Sequence, residues 1–178
     1  MSQWKIIPGI GTYYVTTTIV GWQDVFTSRP YFEVIVESLG HCMAHKNLHL
    51  HGYVIMPNHA HYIVSTGGAI TLSNVMRDFN THTSRKITDL LKKEQKRTLL
   101  RVFHDAALRD ARGNEFKVWQ TGFHPIAIVE EEFFRQKLGY LHDNPVRKGL
   151  VERAEQWRYS SARNYLFGDH SVIRVECL

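Results

Sequence analysis

Short apolar segments of two kinds follow one another along the chain, and together they predict a mixed α and β fold. Residues 13–20 are rich in β-branched and aromatic side chains, which is typical of a strand. Apolar residues recur at helical spacing over residues 31–46 and predict a helix. The apolar runs 48–55 and 59–65 flank a turn at residues 56–58, so they predict a β-hairpin.

The rest of the chain continues this order. A second helix is predicted from Thr71, because apolar residues from Leu72 to Phe79 fall on one face, and a last strand is expected within residues 118–129. The order β-α-β-β-α-β is that of a ferredoxin-like (RRM-like) α/β sandwich, an α+β fold with an antiparallel sheet, here followed by C-terminal helices. The helices would cover one sheet face and leave the other free to carry a site. Without a linker or repeat, residues 1–178 are expected to form one domain.

Charge adds a preference for polyanionic partners. The 22 Lys and Arg residues outnumber the 17 Asp and Glu residues, which gives a formal net charge of +5 and a pI near 9.3. A positive excess favours polyanions such as nucleic acid, although many basic proteins bind none. The hydrophobic content of 43% is ordinary for a globular protein.

Cysteine usage and the N-terminus favour a cytoplasmic location. Cys42 and Cys177 supply neither a metal-binding pair nor a disulfide framework, which fits a reducing compartment. The N-terminal sequence MSQWKIIPGIG does not have the basic and apolar regions of a signal peptide. We find no apolar run long enough to span a bilayer, so a membrane role is not expected.

Two histidines open the second strand of the predicted hairpin. His59 and His61 are two residues apart, and side chains at this spacing project from the same face of a strand. A neutral imidazole is a common metal ligand, so the pair can share one divalent cation. The alternative is that both are ordinary polar residues on a half-exposed strand.

Basic residues form a second candidate feature. Those on the second helix and just after it are Arg77, Arg85, Lys86, Lys92 and Lys93. One interpretation is a patch that contacts phosphates of a nucleic-acid backbone. The other is that residues 91–115 are a solvated helix end and loop. Arg147 and Lys148, nearer the C-terminus, could likewise contact phosphates, or they could lie in a solvated turn.

A further helix is predicted at residues 130–143, because the residue before Pro145 is disfavoured in helical geometry. Tyr140 lies near its end, and Asn144 follows four residues later, which is one helical turn. If the last turn keeps its helical phase, the Asn144 amide oxygen can reach a metal while the Tyr140 phenol lies one turn away. Alternatively, Tyr140 packs at the edge of the core and Asn144 caps the helix.

The histidine pair, the basic residues and Tyr140 together fit one type of chemistry. A tyrosine can attack a phosphodiester and form a covalent protein–DNA ester, as other activated side chains form covalent intermediates. A tyrosine phenol ordinarily titrates near pH 10, so a nearby cation or base is needed. A divalent metal on the histidine pair would stabilise the charge that develops on the phosphate.

Three sequence runs carry a resemblance to a known family. They are MPNHAHYIV, then GYLHDNPVRKGLV about eighty residues later, and finally WRYSSARNYL. Together with Phe79-x-x-x-Thr83-Ser84 and Trp119-Gln120, they resemble the single-tyrosine HUH transposases, in particular the REP-associated tyrosine transposases. The resemblance extends over nearly the whole chain.

The resemblance implies a domain that nicks single-stranded DNA, often beside a hairpin, with Mg or Mn as the cofactor. By position, His59 and His61 match the metal ligands, Asn144 matches the residue that completes the metal site, and Tyr140 matches the nucleophile. The nucleophile would become linked to a 5′-phosphate and leave a free 3′-OH. A C-terminal extension at residues 146–178 would follow the nucleophile helix, and both a homodimer and a monomer are compatible with the family.

Two other functions remain open at this stage. A non-catalytic protein on the same fold would bind hairpin nucleic acid without needing the histidines or the tyrosine. A metal-dependent phosphodiesterase would use water as the nucleophile and would form no protein–DNA adduct.

Overall fold

The structure is a computed structural model that describes residues 11–67, 70–110, 113–122 and 125–177. It contains four strands, β1 to β4: Thr12–Thr18, Leu48–Ile55, His59–Thr66 and Ile126–Ile128. It contains five α-helices, α1 to α5: Arg29–His45, Leu72–Lys93, Arg97–Leu108, Glu131–Arg147 and Ala162–Phe167. None of the helices in the described ranges is both long and apolar enough to cross a bilayer.

The four strands form one antiparallel sheet in the order β2-β3-β1-β4. With α1 between β1 and β2, and α2 after the β2–β3 hairpin, this topology confirms the predicted ferredoxin-like sandwich. The hairpin turn closes where the Met56 N–H donates to the His59 carbonyl over 2.8 Å. The sheet topology therefore places β3, the strand with the two histidines, at the centre of the sheet beside β1.

Side chains alternate between two cores on the two faces of the sheet. On one face, Tyr13 and Val15 of β1 pack with Tyr62 and Val64 of β3 beneath α1 and α2. On the other face, residues Tyr14, Val54, Ile63, Phe134 and Leu141 form a smaller cluster. The last two belong to α4, so the prediction of a second face left free is wrong in part. Helix α4 packs on it because its apolar stripe needs a partner surface.

The last strand is shorter than the predicted range of residues 118–129. Among the described residues of that range, Ile126–Ile128 alone pairs with β1 as a strand, while Trp119 forms an isolated antiparallel bridge with Ile19. Gly122, with φ +80°, takes the left-handed conformation and turns the chain between these two pieces. The edge of the sheet is therefore built in two interrupted parts.

Helix α4 extends beyond the predicted end at residue 143. It runs through Pro145 to Arg147, and the Lys148 N–H donates to the Asn144 carbonyl over 3.1 Å. Leu141, Asn144 and Pro145 are all buried, so packing of this turn outweighs the local preference against a helical residue before proline. The C-terminal extension predicted at 146–178 accordingly starts inside the helix, and Asn144 keeps helical phase with Tyr140.

The interpretation of residues 91–115 as a solvated helix end and loop is wrong in part, because a further helix forms within them. Residues Arg97–Leu108 form α3, in which Phe103 and Ala107 are buried. Their spacing of four residues places both side chains on one helical face, which packs on the main core. Arg97 and Arg101 are exposed on the outer side of α3, whereas Lys92 and Lys93 are exposed at the end of α2.

The C-terminal segment runs along the outer edge of β2. The Ile55 N–H donates to the Tyr159 carbonyl, and the N–H groups of Ser161 and Glu176 donate to the carbonyls of Tyr53 and Leu50, all at 2.8–2.9 Å. The Tyr165 hydroxyl adds a 2.7 Å hydrogen bond to the His51 carbonyl. This segment thus supplies hydrogen-bond partners to an edge that has no neighbouring strand in the sheet.

Candidate active site

His59 and His61 lie side by side on the sheet face that carries α4. Their Cα partners on β1 are Thr18 and Thr16, and the centroids of their rings are 4.8 Å apart. Each residue is only 7% exposed. The structure therefore brings two imidazoles together in a nearly enclosed position, as the two-residue spacing predicts.

Hydrogen bonds orient both rings through the same nitrogen. The His59 Nδ1–H donates to the Asn58 Oδ1 over 2.7 Å, and the Thr16 hydroxyl is 2.8 Å from the His61 Nδ1. Within the described residues, neither Nε2 atom has a hydrogen-bond partner. The Nδ1–H of His59, held in this way, leaves its Nε2 lone pair available to a metal, and the same holds for His61 when its Nδ1–H donates to the Thr16 hydroxyl.

Both imidazoles are neutral at physiological pH. Burial, with a smaller effect of Lys148, lowers the pKa of His59 to about 4. Burial, followed by the proximity of His59 and Lys137, lowers the pKa of His61 to about 3. Because a metal binds the deprotonated ring, these shifts keep the pair in the ligating form over a wide pH range.

Tyr140 lies on α4 beside the pair and remains 42% exposed. Its ring meets His61 edge-on, with centroids 6.0 Å apart, and meets Tyr14 in the same manner at 6.4 Å. The Arg147 guanidinium lies 4.8 Å from the centre of the Tyr140 ring. An accessible phenol therefore stands between the histidine pair and a permanent positive charge.

Asn144 lies on α4 between Tyr140 and Lys148, two residues that lie near the histidines. Tyr140 precedes it by one turn and contacts His61, while Lys148 follows it by one turn and lowers the pKa of His59. Asn144 is 6% exposed, and its Nδ2 is buried with no hydrogen-bond partner among the described residues. Because Nδ2 is a hydrogen-bond donor, Asn144 could bind a metal only through its amide oxygen, Oδ1.

The donor set fits a divalent metal without a carboxylate. No cluster of three or more His, Cys, Asp or Glu side chains suited to a metal occurs in the described parts of the chain. The residues here that could hold a divalent metal are His59 and His61, through their ring nitrogens, and Asn144, through its amide oxygen.

His142, in contrast, faces away from the site. Its Nε2 is 2.8 Å from the Ser161 hydroxyl, and its ring meets Tyr165 edge-on at 5.5 Å. Its contacts attach α4 to the C-terminal segment. The aromatic residues of that segment also pack: Tyr159 stacks on Phe32 with centroids 4.0 Å apart.

Sequence reasoning missed three residues that line the site. Tyr14 stacks on His61 at 5.3 Å, Thr16 bonds the same ring, and the Lys137 amine lies 5.3 Å from the Tyr14 ring centre. The first two share a face of β1 by alternation, and Lys137 precedes Tyr140 by three residues on one helical face. That spacing was visible in the sequence, but the pairing of β1 with β3 was needed to use it.

The predicted basic residues separate into two groups on opposite sheet faces. Arg147 lies over the Tyr140 ring, and Lys148 lies near His59. The other group lies on α2: Arg77, Arg85, Lys86, Lys92 and Lys93. Of these, Arg77 and Arg85 line a cavity of about 520 Å³ between α2 and residues 114–122, and the Lys92 amine pairs with Glu115 at 3.3 Å.

Asn58→Ala is expected to weaken Mn²⁺ binding about 10- to 100-fold, because loss of a group that orients a ligand has effects of this size. The substitution removes the acceptor that holds the His59 ring. Isothermal titration of Mn²⁺ measures the change, and Asn74→Ala, an exposed asparagine on α2, is the matched control. Equal Mn²⁺ affinity in Asn58→Ala and wild type would contradict the orienting role.

Buried neutral histidines should make the protein sensitive to acid. The pKa values of His59 and His142 are both lowered to about 4, chiefly by burial. The unfolded chain then binds protons more readily, so stability is lost as the pH falls below about 6.5 towards 4. At pH 5.5 each such histidine costs about 1 kcal/mol.

Thermal denaturation followed by circular dichroism at pH 7.5, 6.5 and 5.5 tests this sensitivity. We expect the Tm to fall below pH 6.5, and to fall less in His142→Gln, which removes one of the titrating groups. A Tm that is constant from pH 7.5 to 5.5 would show that the histidines are not held neutral by the fold.

Comparison with known proteins agrees with this fold. A family model described as "Transposase IS200 like" matches residues 15–107, which include His59 and His61 and end before Tyr140. Among solved structures, a REP-associated tyrosine transposase bound to a REP hairpin matches with a TM-score of 0.65 and 18% identity, covering 100% of both chains. None of the curated proteins matches the sequence.

A second structure, of a Deinococcus radiodurans protein described as a transposase, has a TM-score of 0.48 and 12% identity, and it covers 78% of this chain and 96% of that one. The family assignment does not depend on it. Since the family model matches just over half of the 178 residues, and the fold agrees with it over the whole length, the chain belongs to the IS200-like transposase family.

Proposed function

We propose that this protein is a metal-dependent endonuclease and strand transferase that nicks single-stranded DNA near hairpins through a covalent 5′-phosphotyrosine at Tyr140. The observation that carries the proposal is the approach of an accessible tyrosine ring to a buried, neutral histidine pair, with 6.0 Å between the Tyr140 and His61 centroids. A protein that only binds DNA has no need for such a pair.

The step that Tyr140 would perform is a transesterification. The phenol oxygen forms a bond to phosphorus, and the bond between phosphorus and the 3′ oxygen breaks. The phenol proton is lost and the departing 3′ oxygen gains one, so the products are a 5′-phosphotyrosine and a free 3′-OH. The reverse reaction with a different 3′-OH would join strands, which is the transfer activity of a transposase.

Positive side chains surround the position that the phosphate would occupy. Arg147 lies over the Tyr140 ring, Lys148 lies near His59, and Lys137 lies near His61. They would orient the phosphodiester and balance its charge during attack. Lys137 and Lys148 share a side of the helix with Tyr140 and Asn144, because residues 137, 140, 144 and 148 succeed one another at intervals of three or four along α4 and its C-cap.

We propose Mg or Mn as the cofactor, held by His59, His61 and Asn144. The unpartnered Nε2 atoms of the two histidines support this ligand set, as does the position of Asn144 one helical turn after Tyr140 on α4. When bound, such a cation stabilises negative charge on the phosphoryl oxygens.

Hairpin DNA is the proposed substrate because the structural neighbour is bound to a REP hairpin. Arg147 and Lys148 would contact the strand at the site, and the basic residues of α2 would contact DNA on the other sheet face. We propose that residues 1–178 carry out this reaction as one HUH-type domain.

The proposal is tested by incubating the protein with labelled single-stranded hairpin DNA and Mn²⁺, followed by a denaturing gel. A slower, protease-sensitive labelled band is expected, and mass spectrometry of the digested adduct should place the nucleotide on Tyr140. Cleavage without any adduct would instead indicate a phosphodiesterase that uses water. Binding without cleavage or adduct would indicate a non-catalytic hairpin-binding protein.

A further inference from the structure

Trp22 combines three properties that are rarely found together in one residue. Its side chain is 60% exposed, its backbone has φ +54°, and its ring meets the His59 ring edge-on with centroids 5.8 Å apart. An exposed tryptophan leaves a large apolar surface in water. A bulky residue in the left-handed region is a genuine backbone outlier.

The exposure of the Trp22 side chain and the positive φ of its backbone do not help the protein to fold. Trp22 ends the 3-10 turn Val20–Trp22, which follows β1, and Gly21 before it also has a positive φ of 64°. Strained backbone of this kind persists where the surrounding structure enforces it, and it is concentrated at functional sites. The strain here therefore points to a function for the indole at the surface.

The neighbouring structure holds the Trp22 turn against the histidine pair. The Asn58 Nδ2 donates to the Asp24 carboxylate over 2.8 Å and to the Trp22 carbonyl over 3.4 Å. The Oδ1 of the same amide accepts the hydrogen bond from the His59 Nδ1. One side chain thus fixes both the metal-facing ring and the turn that carries the indole.

We propose that Trp22 is a stacking platform for an unpaired base next to the scissile phosphate. This inference rests on the proposed function, because it places the phosphate between the histidine pair and Tyr140. A strand with its phosphate there carries bases within reach of the adjacent indole. The positive charges of Lys148 and Arg147 attract the backbone of the same strand.

An unpaired nucleobase suits this surface better than other ligands do. Stacking on an aromatic ring tolerates any base, since every base has a π face, and it requires an accessible aromatic face beside a positively charged path. Two aromatics of the C-terminal segment do not offer such a face: Tyr159 is buried against Phe32, and the Trp157 indole N–H donates to the Ile55 carbonyl. Trp22 acts as a positioning residue, because it contacts the strand without taking part in bond formation.

Binding of fluorescein-labelled oligothymidylate dT8, measured by anisotropy at low salt with Mn²⁺ present, tests the platform. A base-free strand of eight tetrahydrofuran nucleotides is the comparison probe. Trp22→Ala is expected to weaken dT8 binding about tenfold to hundredfold and to leave binding of the base-free strand unchanged. Trp22→Phe should restore most of the affinity.

Phe167→Ala is the matched control, because Phe167 is 61% exposed but lies on α5. The proposed stacking role of Trp22 is wrong if Trp22→Ala binds dT8 as tightly as wild type does, or if the variant loses affinity for dT8 and for the base-free strand equally. The adduct assay on wild type is scored separately. No Tyr140 adduct would overturn the proposed function, whereas an adduct together with base-independent effects of Trp22→Ala would overturn only the platform.

Discussion

Tyr140→Phe is expected to abolish the covalent protein–DNA adduct and to lower strand cleavage on the order of 10⁴-fold or more, as loss of a nucleophile does in other covalent enzymes. The phenylalanine ring preserves the contacts with His61 and Tyr14, so the fold of the site should be retained. Affinity for single-stranded DNA should change little, since the hydroxyl is a small part of the surface that contacts the strand. Single-turnover cleavage on denaturing gels measures the first effect, and anisotropy measures the second.

Tyr31→Phe is the matched control for this substitution. Its hydroxyl donates to Glu94 over 2.9 Å on the α1 and α2 side of the sheet, so its loss should not affect cleavage. If Tyr140→Phe cleaves DNA at the rate of wild type, another group is the nucleophile. If neither Tyr140→Phe nor Tyr31→Phe gives cleavage products linked to protein, water is the nucleophile.

Replacing both His59 and His61 by alanine is expected to remove the dependence of cleavage on Mn²⁺ and to lower its rate by about 10³-fold, since a catalytic metal contributes several kcal/mol. Isothermal titration should show that Mn²⁺ binding is lost as well. The two rings also pack in a largely enclosed position, so thermal denaturation of the double variant must be measured alongside.

A second pair of histidines on β2 provides the control. His49 and His51 are likewise two residues apart, but the His49 ring bonds the Glu176 carboxylate at 2.9 Å, and the His51 Nε2 bonds the Ser65 hydroxyl at 2.8 Å. His49→Ala should therefore leave Mn²⁺ binding unchanged. If it removes Mn²⁺ binding while the double variant at 59 and 61 retains it, the metal site has been assigned to the wrong strand.

The sequence predicts the fold better than it predicts the surroundings of the site. Strands β2 and β3 follow from apolar runs of strand length, and the shared face of His59 and His61 follows from alternation alone. Both are local properties of a short segment. The spacing of four residues also predicts that Tyr140 and Asn144 are neighbours if the helical phase continues through Asn144, and in the structure it does.

What the sequence did not predict depends on contacts between distant segments. The rule that ends a helix before proline fails at Pro145, because burial of that turn outweighs the local preference. Tyr14 becomes part of the site only through the pairing of β1 with β3, which joins residues far apart in the chain. The sequence did not predict Trp22 as part of the site for a similar reason, because only the contact with His59 places its turn there.

The backbone hydrogen bonds between the C-terminal segment and the outer side of β2 also bear on the behaviour of the protein at high concentration. An uncovered strand edge is a template on which other chains can add strands, and proteins that leave one open tend to aggregate. Here the carbonyls of Leu50 and Tyr53 are already occupied by N–H groups of that segment, and the strand at the opposite edge, Ile126–Ile128, is only three residues long. A chain shortened before residue 157 would lose this protection on β2, and it should precipitate from solution even if its catalytic residues remain in place.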